Sequence, residues 1–132
     1  MSTLSVINLQ SQSTTAPVVF QTSTGTEIGQ LCRAWVNFNG TTSPGTIRAS
    51  FNVSSITKNA TGDYTVNFTN SLADANYSPI VSMQAPAATN GYVYINNFLS
   101  GGSVATSNQT ASAYRVWFNN ADSAQVATAV FR

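Results

Sequence analysis

Between Cys32 and Thr69 the chain reads CRAWVNFNGTTSPGTIRASFNVSSITKNATGDYTVNFT. Apolar and polar residues alternate through this stretch with a period of two. Successive side chains of a β-strand point to opposite faces, so residues two apart line one face. Ile47, Ala49, Phe51 and Val53 form such a set against Arg48, Ser50, Asn52 and Ser54. Tyr64, Val66 and Phe68 form another against Thr65, Asn67 and Thr69. No segment carries a convincing helical period, so the chain is expected to be all-β.

The rest of the sequence extends that pattern. Strands are predicted over 4–9, 18–22, 31–38, 46–54, 63–69, 76–84, 92–99, 111–119 and 124–131. Turn-forming stretches separate them: NGTTSPG, TKNATG, NSLADA, APAATNG, SGGSVATSNQT and NNADS. A turn signal every 8 to 12 residues or so marks an antiparallel β-sandwich or barrel, and a jelly-roll-like sandwich is the expected form. The first thirty residues hold no Trp or Tyr and one Phe, Phe20, among many Ser, Thr and Gln. Residues 1–30 are therefore read as an extended arm with one or two strands that pair elsewhere. The alternative is a frayed terminus. Residues 31–132 form the sandwich domain.

The polar face of these strands is built from Ser, Thr and Asn. Charged residues make up 7% of the chain, against about 25% in an ordinary domain. The five basic residues, Arg33, Arg48, Lys58, Arg115 and Arg132, are scattered, and the net charge is +1. No basic stripe is available to follow a phosphate backbone, so nucleic acid is not an expected partner. No window approaches the roughly 18 apolar residues of a membrane helix, and membrane insertion is not expected. The N-terminus has neither a basic start nor a long apolar run and is not read as a signal peptide. A net charge near zero favours association. Ser, Thr and Asn can hydrogen-bond across subunit contacts without the several-kilocalorie cost of burying charge.

Catalytic equipment is sparse. The chain has no His, which removes Ser-His-Asp and Cys-His catalysis and every His-containing zinc site. Its one cysteine, Cys32, cannot form an internal disulfide and is read as a small buried hydrophobe on a core-facing strand position. Side-chain carboxylates number four: Glu27, Asp63, Asp74 and Asp122. The three aspartates occupy what read as turn positions, where Asp bonds its own backbone. The Gly-rich SGGS at 100–103 lacks the Lys-Ser/Thr of a phosphate loop. No enzyme activity, cofactor or metal is expected.

Two sets of residues stand out instead. The sequences RAWVNF at 33–38 and RVWFN at 115–119 each place Arg and Trp two apart. Strand alternation sets Ala34, Val36 and Phe38 against Arg33 and Trp35, and Tyr114, Val116 and Phe118 against Arg115 and Trp117. Each Trp then lies opposite the core face and needs a second layer to cover it: a neighbouring subunit, the arm or a ligand. Arg33, Trp35, Arg115 and Trp117 are the expected interface residues. The alternative is that both Trp are core. The second set lies on and beside the aromatic strand YVYINNF, which the loops 85–91 and 100–110 flank. Tyr92 and Tyr94 could stack on a sugar ring, with Asn90, Asn96 and Asn97 supplying hydrogen bonds.

The run AWVNFNG…IRASFNVSSIT…GDYTVNFT…DANY, from Ala34 to Tyr77, resembles a module of tail-fibre and related virion proteins of tailed bacteriophages, including phages of cyanobacteria and marine bacteria. The resemblance covers about a third of the chain. It implies a non-enzymatic virion protein, a homotrimer, acting in host attachment as a short tail fibre or fibre tip. The arm would engage other virion proteins, and host surface polysaccharide would be the external partner. A capsid decoration or cement protein, whose arm clamps neighbouring capsid subunits, is the alternative.

Overall fold

The computed structural model describes residues 19–25, 27–84, 93–95, 109–118 and 121–132. Among them no residue is helical. Ten strands follow in chain order: β1 (Val19–Gln21), β2 (Glu27–Gln30), β3 (Cys32–Asn39), β4 (Thr46–Phe51), β5 (Val53–Ala60), β6 (Asp63–Phe68), β7 (Ser78–Met83), β8 (Val93–Ile95), β9 (Ala113–Phe118) and β10 (Val126–Phe131). Every pairing between them is antiparallel.

The chain divides into two compact units, Met1–Leu31 and Cys32–Arg132. In the first, β1 and β2 form a two-stranded sheet in which Phe20 lies opposite Gly29. Its turn closes through Gly25 N–H donating to Thr22 O at 3.0 Å, with Gly25 at φ +80°. Residues 4–9, predicted as a strand, lie outside the described residues.

The second unit contains two four-stranded sheets, ordered β4-β3-β10-β7 and β5-β6-β9-β8. Their facing sides share one core, in a sandwich-like all-β arrangement. Ala34, Val36 and Phe38 from β3 and Val126 and Val130 from β10 meet Tyr64 and Val66 from β6 and Tyr114 and Val116 from β9. Phe38 and Tyr64 pack edge to face with centroids 5.3 Å apart. Phe68, Tyr77 and Tyr114 form a second aromatic cluster. The buried hydroxyls are satisfied. Tyr77 Oη donates towards Thr110 O and Ala113 O, each at 2.9 Å. Thr128 Oγ1 donates to Ile80 O at 2.7 Å, which leaves it to accept from Tyr114 Oη at 2.8 Å.

Three neighbouring pairs, β3–β4, β5–β6 and β8–β9, are consecutive in the chain.

The predicted strand over 46–54 is two strands in different sheets. Asn52 stands between them at φ +54°, a left-handed conformation that Asn tolerates better than most residues. Its side chain holds the bend. Nδ2 donates to Arg33 O at 3.2 Å and Asn70 O at 3.1 Å, and Oδ1 accepts from Asn70 N–H at 2.8 Å. Upstream, the β3–β4 register shifts between Asn37 and Phe38, so Ala49 lies opposite Asn37 but Ile47 opposite Phe38. A bulge of this kind exchanges the faces on either side of it. Ile47 consequently packs against the core and Val53 is buried, whereas Phe51 is 55% exposed. The stretch TKNATG, read as a turn, is largely the end of β5, and only Thr61 and Gly62 turn.

Candidate functional site

The two outward sheet faces differ in chemistry. On the β5-β6-β9-β8 sheet the outward side chains form polar ladders. Asn67 Nδ2 donates to Ser55 Oγ and Thr57 Oγ1, both at 3.1 Å. Asn59 Nδ2 donates to Thr65 Oγ1 at 2.9 Å and to Asp63 Oδ1 at 3.1 Å. The Arg115 guanidinium grips Asp63 with both arms, Nε donating to Oδ1 at 2.6 Å and the terminal nitrogen to Oδ2. That fork geometry suits a carboxylate. Asp63 is only 4% exposed, so removing Arg115 would leave a buried carboxylate without its charged partner. Asp63 is thus a strand residue with a distant partner, contrary to the turn role expected for it.

The outward face of β4-β3-β10-β7 carries an apolar patch, bordered by Arg33, Asn37 and Ser82. Register places Phe51 opposite Trp35, Trp35 opposite Ala129, and Ala129 opposite Ile80, a single row across all four strands. Phe51, Trp35, Ile80 and Phe131 are exposed by 55, 39, 59 and 37%. The other exposed large hydrophobics among the described residues, Phe20 and Leu31, belong to the first unit. The small residues Ala127 and Ala129 on β10 leave an open groove of about 480 Å³ between Trp35 on β3 and Ile80 on β7, with Phe131 at the end of its floor. Clustering of this kind, rather than scattered exposed Leu or Phe, marks an interaction surface.

The expected interface residues separate accordingly. Arg33 and Trp35 alternate with the buried Ala34 and Val36 on β3, whereas Arg115 and Trp117 alternate with the buried Tyr114 and Val116 on β9. The two Arg-Trp pairs therefore lie on the outward faces of different sheets and do not form one patch. Trp117 sits opposite Asp63 and Tyr94. Of the expected sugar contacts, Tyr94 lies on β8, and Asn90, Tyr92, Asn96 and Asn97 lie outside the described residues. Phe51, Ile80 and Phe131 were not expected at a site, because each sits in a run whose facing changes at a bend or was ambiguous.

The other two aspartates also have distant partners. Asp74 Oδ1 accepts from Asn76 N–H at 2.7 Å, as a turn aspartate does, but Oδ2 also pairs with Arg132 at 2.6 Å. Asp122 accepts from Lys58 Nζ at 2.5 Å, Gly62 N–H at 2.9 Å and Tyr64 Oη at 2.8 Å. Partial burial alone would raise its pKa, but these donors and the Lys58 charge together hold it below the ordinary carboxylate range. Burial, with the hydrogen bond to Asp122 next, pushes the Tyr64 phenol above its ordinary range. Cys32 is half-buried rather than buried, its thiol donating to Ala34 O at 3.2 Å.

Among the described residues no group of three or more His, Cys, Asp or Glu could hold a metal ion, and no helix is long and apolar enough to cross a membrane. No protein family, curated protein or solved structure matches this chain.

Proposed function

We propose that this chain is a non-enzymatic virion protein of a tailed bacteriophage, a short tail-fibre or fibre-tip component that assembles as a homotrimer and helps attachment to the host surface. The observation that carries the reading is the apolar row Phe51, Trp35, Ala129 and Ile80 on one outward sheet face. A chain with 7% charged residues and such a face has the surface of a part rather than of a free monomer. The resemblance of residues 34–77 to tail-fibre modules supplies the setting. Support for a structural role also comes from the carboxylates, since Asp63, Asp74 and Asp122 are each held in an ion pair. Residues 1–30 are assigned the contact with other virion proteins, and host surface polysaccharide the role of external ligand.

The test is location. Antibody labelling of purified particles by electron microscopy is expected to mark the tail fibres. Label on the capsid surface would favour a decoration protein, and absence of the protein from particles would overturn the virion reading.

A further inference from the structure

Resting on that reading, we infer that the outward face of the β4-β3-β10-β7 sheet is where copies of this chain meet, and that the outward face of β5-β6-β9-β8, with Trp117, stays outside the contact. The occupant of the apolar face is the same face of neighbouring copies, the Phe51–Trp35 half of one set against the groove half of the next, so that three copies close into a ring.

Three observations lead there. The first is area. A large side chain offers about 150–250 Å² when fully exposed, so the measured exposures put roughly 400 Å² of apolar side chain on this face. Three such faces, with the alanines between them, bring up to roughly 1,400 Å² to the assembly, against about 1,000 Å² for a minimal specific interface. The second is charge. The row contains no ionisable group, and a net charge of +1 on 132 residues raises no long-range barrier between identical copies. Arg33, on the same face, and Arg48, bonded to Asn37 beside the groove, lie off the row.

The third is relief. Phe51 and Trp35 stand on one half of the face, and the groove floored by Ala127 and Ala129 lies beside them, bounded by Ile80, with Phe131 at the end of its floor. Each copy therefore brings both a projection and a recess, which is what closed association of identical chains requires. The opposite sheet is different in kind. Its outward groups are bonded to one another across the strands, through Asn67, Asn59 and the Asp63–Arg115 pair.

The experiment is native mass measurement of the full chain at micromolar concentration, with Ile80→Lys, Trp35→Ser and Trp117→Ala compared. Wild type and Trp117→Ala are expected as the same multimer. Ile80→Lys and Trp35→Ser are each expected to raise the dissociation constant about 30-fold or more, as central interface residues do. Ile80 is 59% exposed, so its replacement leaves the core intact. Hydroxyl-radical labelling of the unmodified chain gives a second readout independent of any variant, in which Trp35 and Phe51 gain reactivity on dilution and Trp117 does not. A wild-type chain of 13.9 kDa at micromolar concentration overturns the inference. So does a multimer whose dissociation constant both variants leave unchanged, or one that Trp117→Ala weakens as much as Trp35→Ser. Particle labelling is scored separately, so a protein found on the fibre but not associating through this face sinks the inference alone.

Discussion

Gly62 and Asp122 show how much of the architecture rests on single residues. Gly62 has φ +70°, and a Cβ added there would run into the backbone carbonyl of Phe118. Its carbonyl accepts from Phe118 N–H at 2.7 Å and its N–H donates to Asp122, so the β5–β6 turn is tied to the segment leaving β9. Gly62→Ala combines an unfavourable left-handed backbone with a collision against backbone that has nowhere to move. A loss of about 3 kcal/mol is expected, read as a fall of roughly 10 °C in melting temperature. Asp122 gives a pH signature. Because its folded pKa is depressed, the stability it contributes is complete above the ordinary value of about 3.9 and disappears as pH falls through the folded value. Melting temperatures of wild type and Asp122→Asn are therefore expected to differ most at neutral pH and to converge as the pH falls through the depressed folded value. A difference that stays constant through the acid range would show that the carboxylate's charge is not what matters.

At the scale of the element, Asn52 decides how much of the alternation could be read. The pattern Tyr64, Val66, Phe68 runs through one uninterrupted strand, and all three are buried. Likewise Ala34, Val36 and Phe38 are buried while Trp35 is not, as the alternation of β3 required. The set Ile47, Ala49, Phe51, Val53 looks equally regular, yet it crosses a bulge and a left-handed residue, and its members end on different faces. Periodicity reports facing only while the backbone stays extended, and nothing in the residue types of TIRASFNVSS announces the bend except an Asn. The apolar face was legible at Trp35 for the same reason that it was hidden at Phe51. Ion partners 52, 58 and 64 residues apart were beyond any local pattern. If Asn52 sets the bend, its variants should rank by conformation as well as by lost bonds. Asn52→Gly keeps the left-handed backbone and loses the three side-chain hydrogen bonds, at about 1–2 kcal/mol. Asn52→Val loses them and strains the backbone, at about 3–4 kcal/mol. Urea titrations should place glycine between wild type and valine; the reverse order would rule out the left-handed bend.

Across the whole molecule, low charge and independent folding meet in one expectation. The buried hydrophobic residues among those described all lie between Ala34 and Val130. They are drawn from both four-stranded sheets and, Phe118 apart, form one cluster within the Cys32–Arg132 unit. The polar ties also close inside it: Asp122 to β5 and β6 through Lys58 and Tyr64, Arg132 to Asp74, and Ser123 Oγ to Gln84 O at 2.9 Å. A two-stranded sheet such as β1–β2 is marginal by itself. Residues 32–132 alone are therefore expected to unfold in one cooperative step, within about 1 kcal/mol of the full chain. Of the three ion pairs among the described residues, Arg115–Asp63 and Lys58–Asp122 are largely shielded from solvent, and salt screens such pairs weakly, so raising salt to 1 M should shift that transition only slightly. Urea unfolding of the fragment followed by tryptophan fluorescence reads both effects, since Trp35 and Trp117 sit on different sheets. A fragment with a shallow, probe-dependent transition would mean that the first thirty-one residues complete the core.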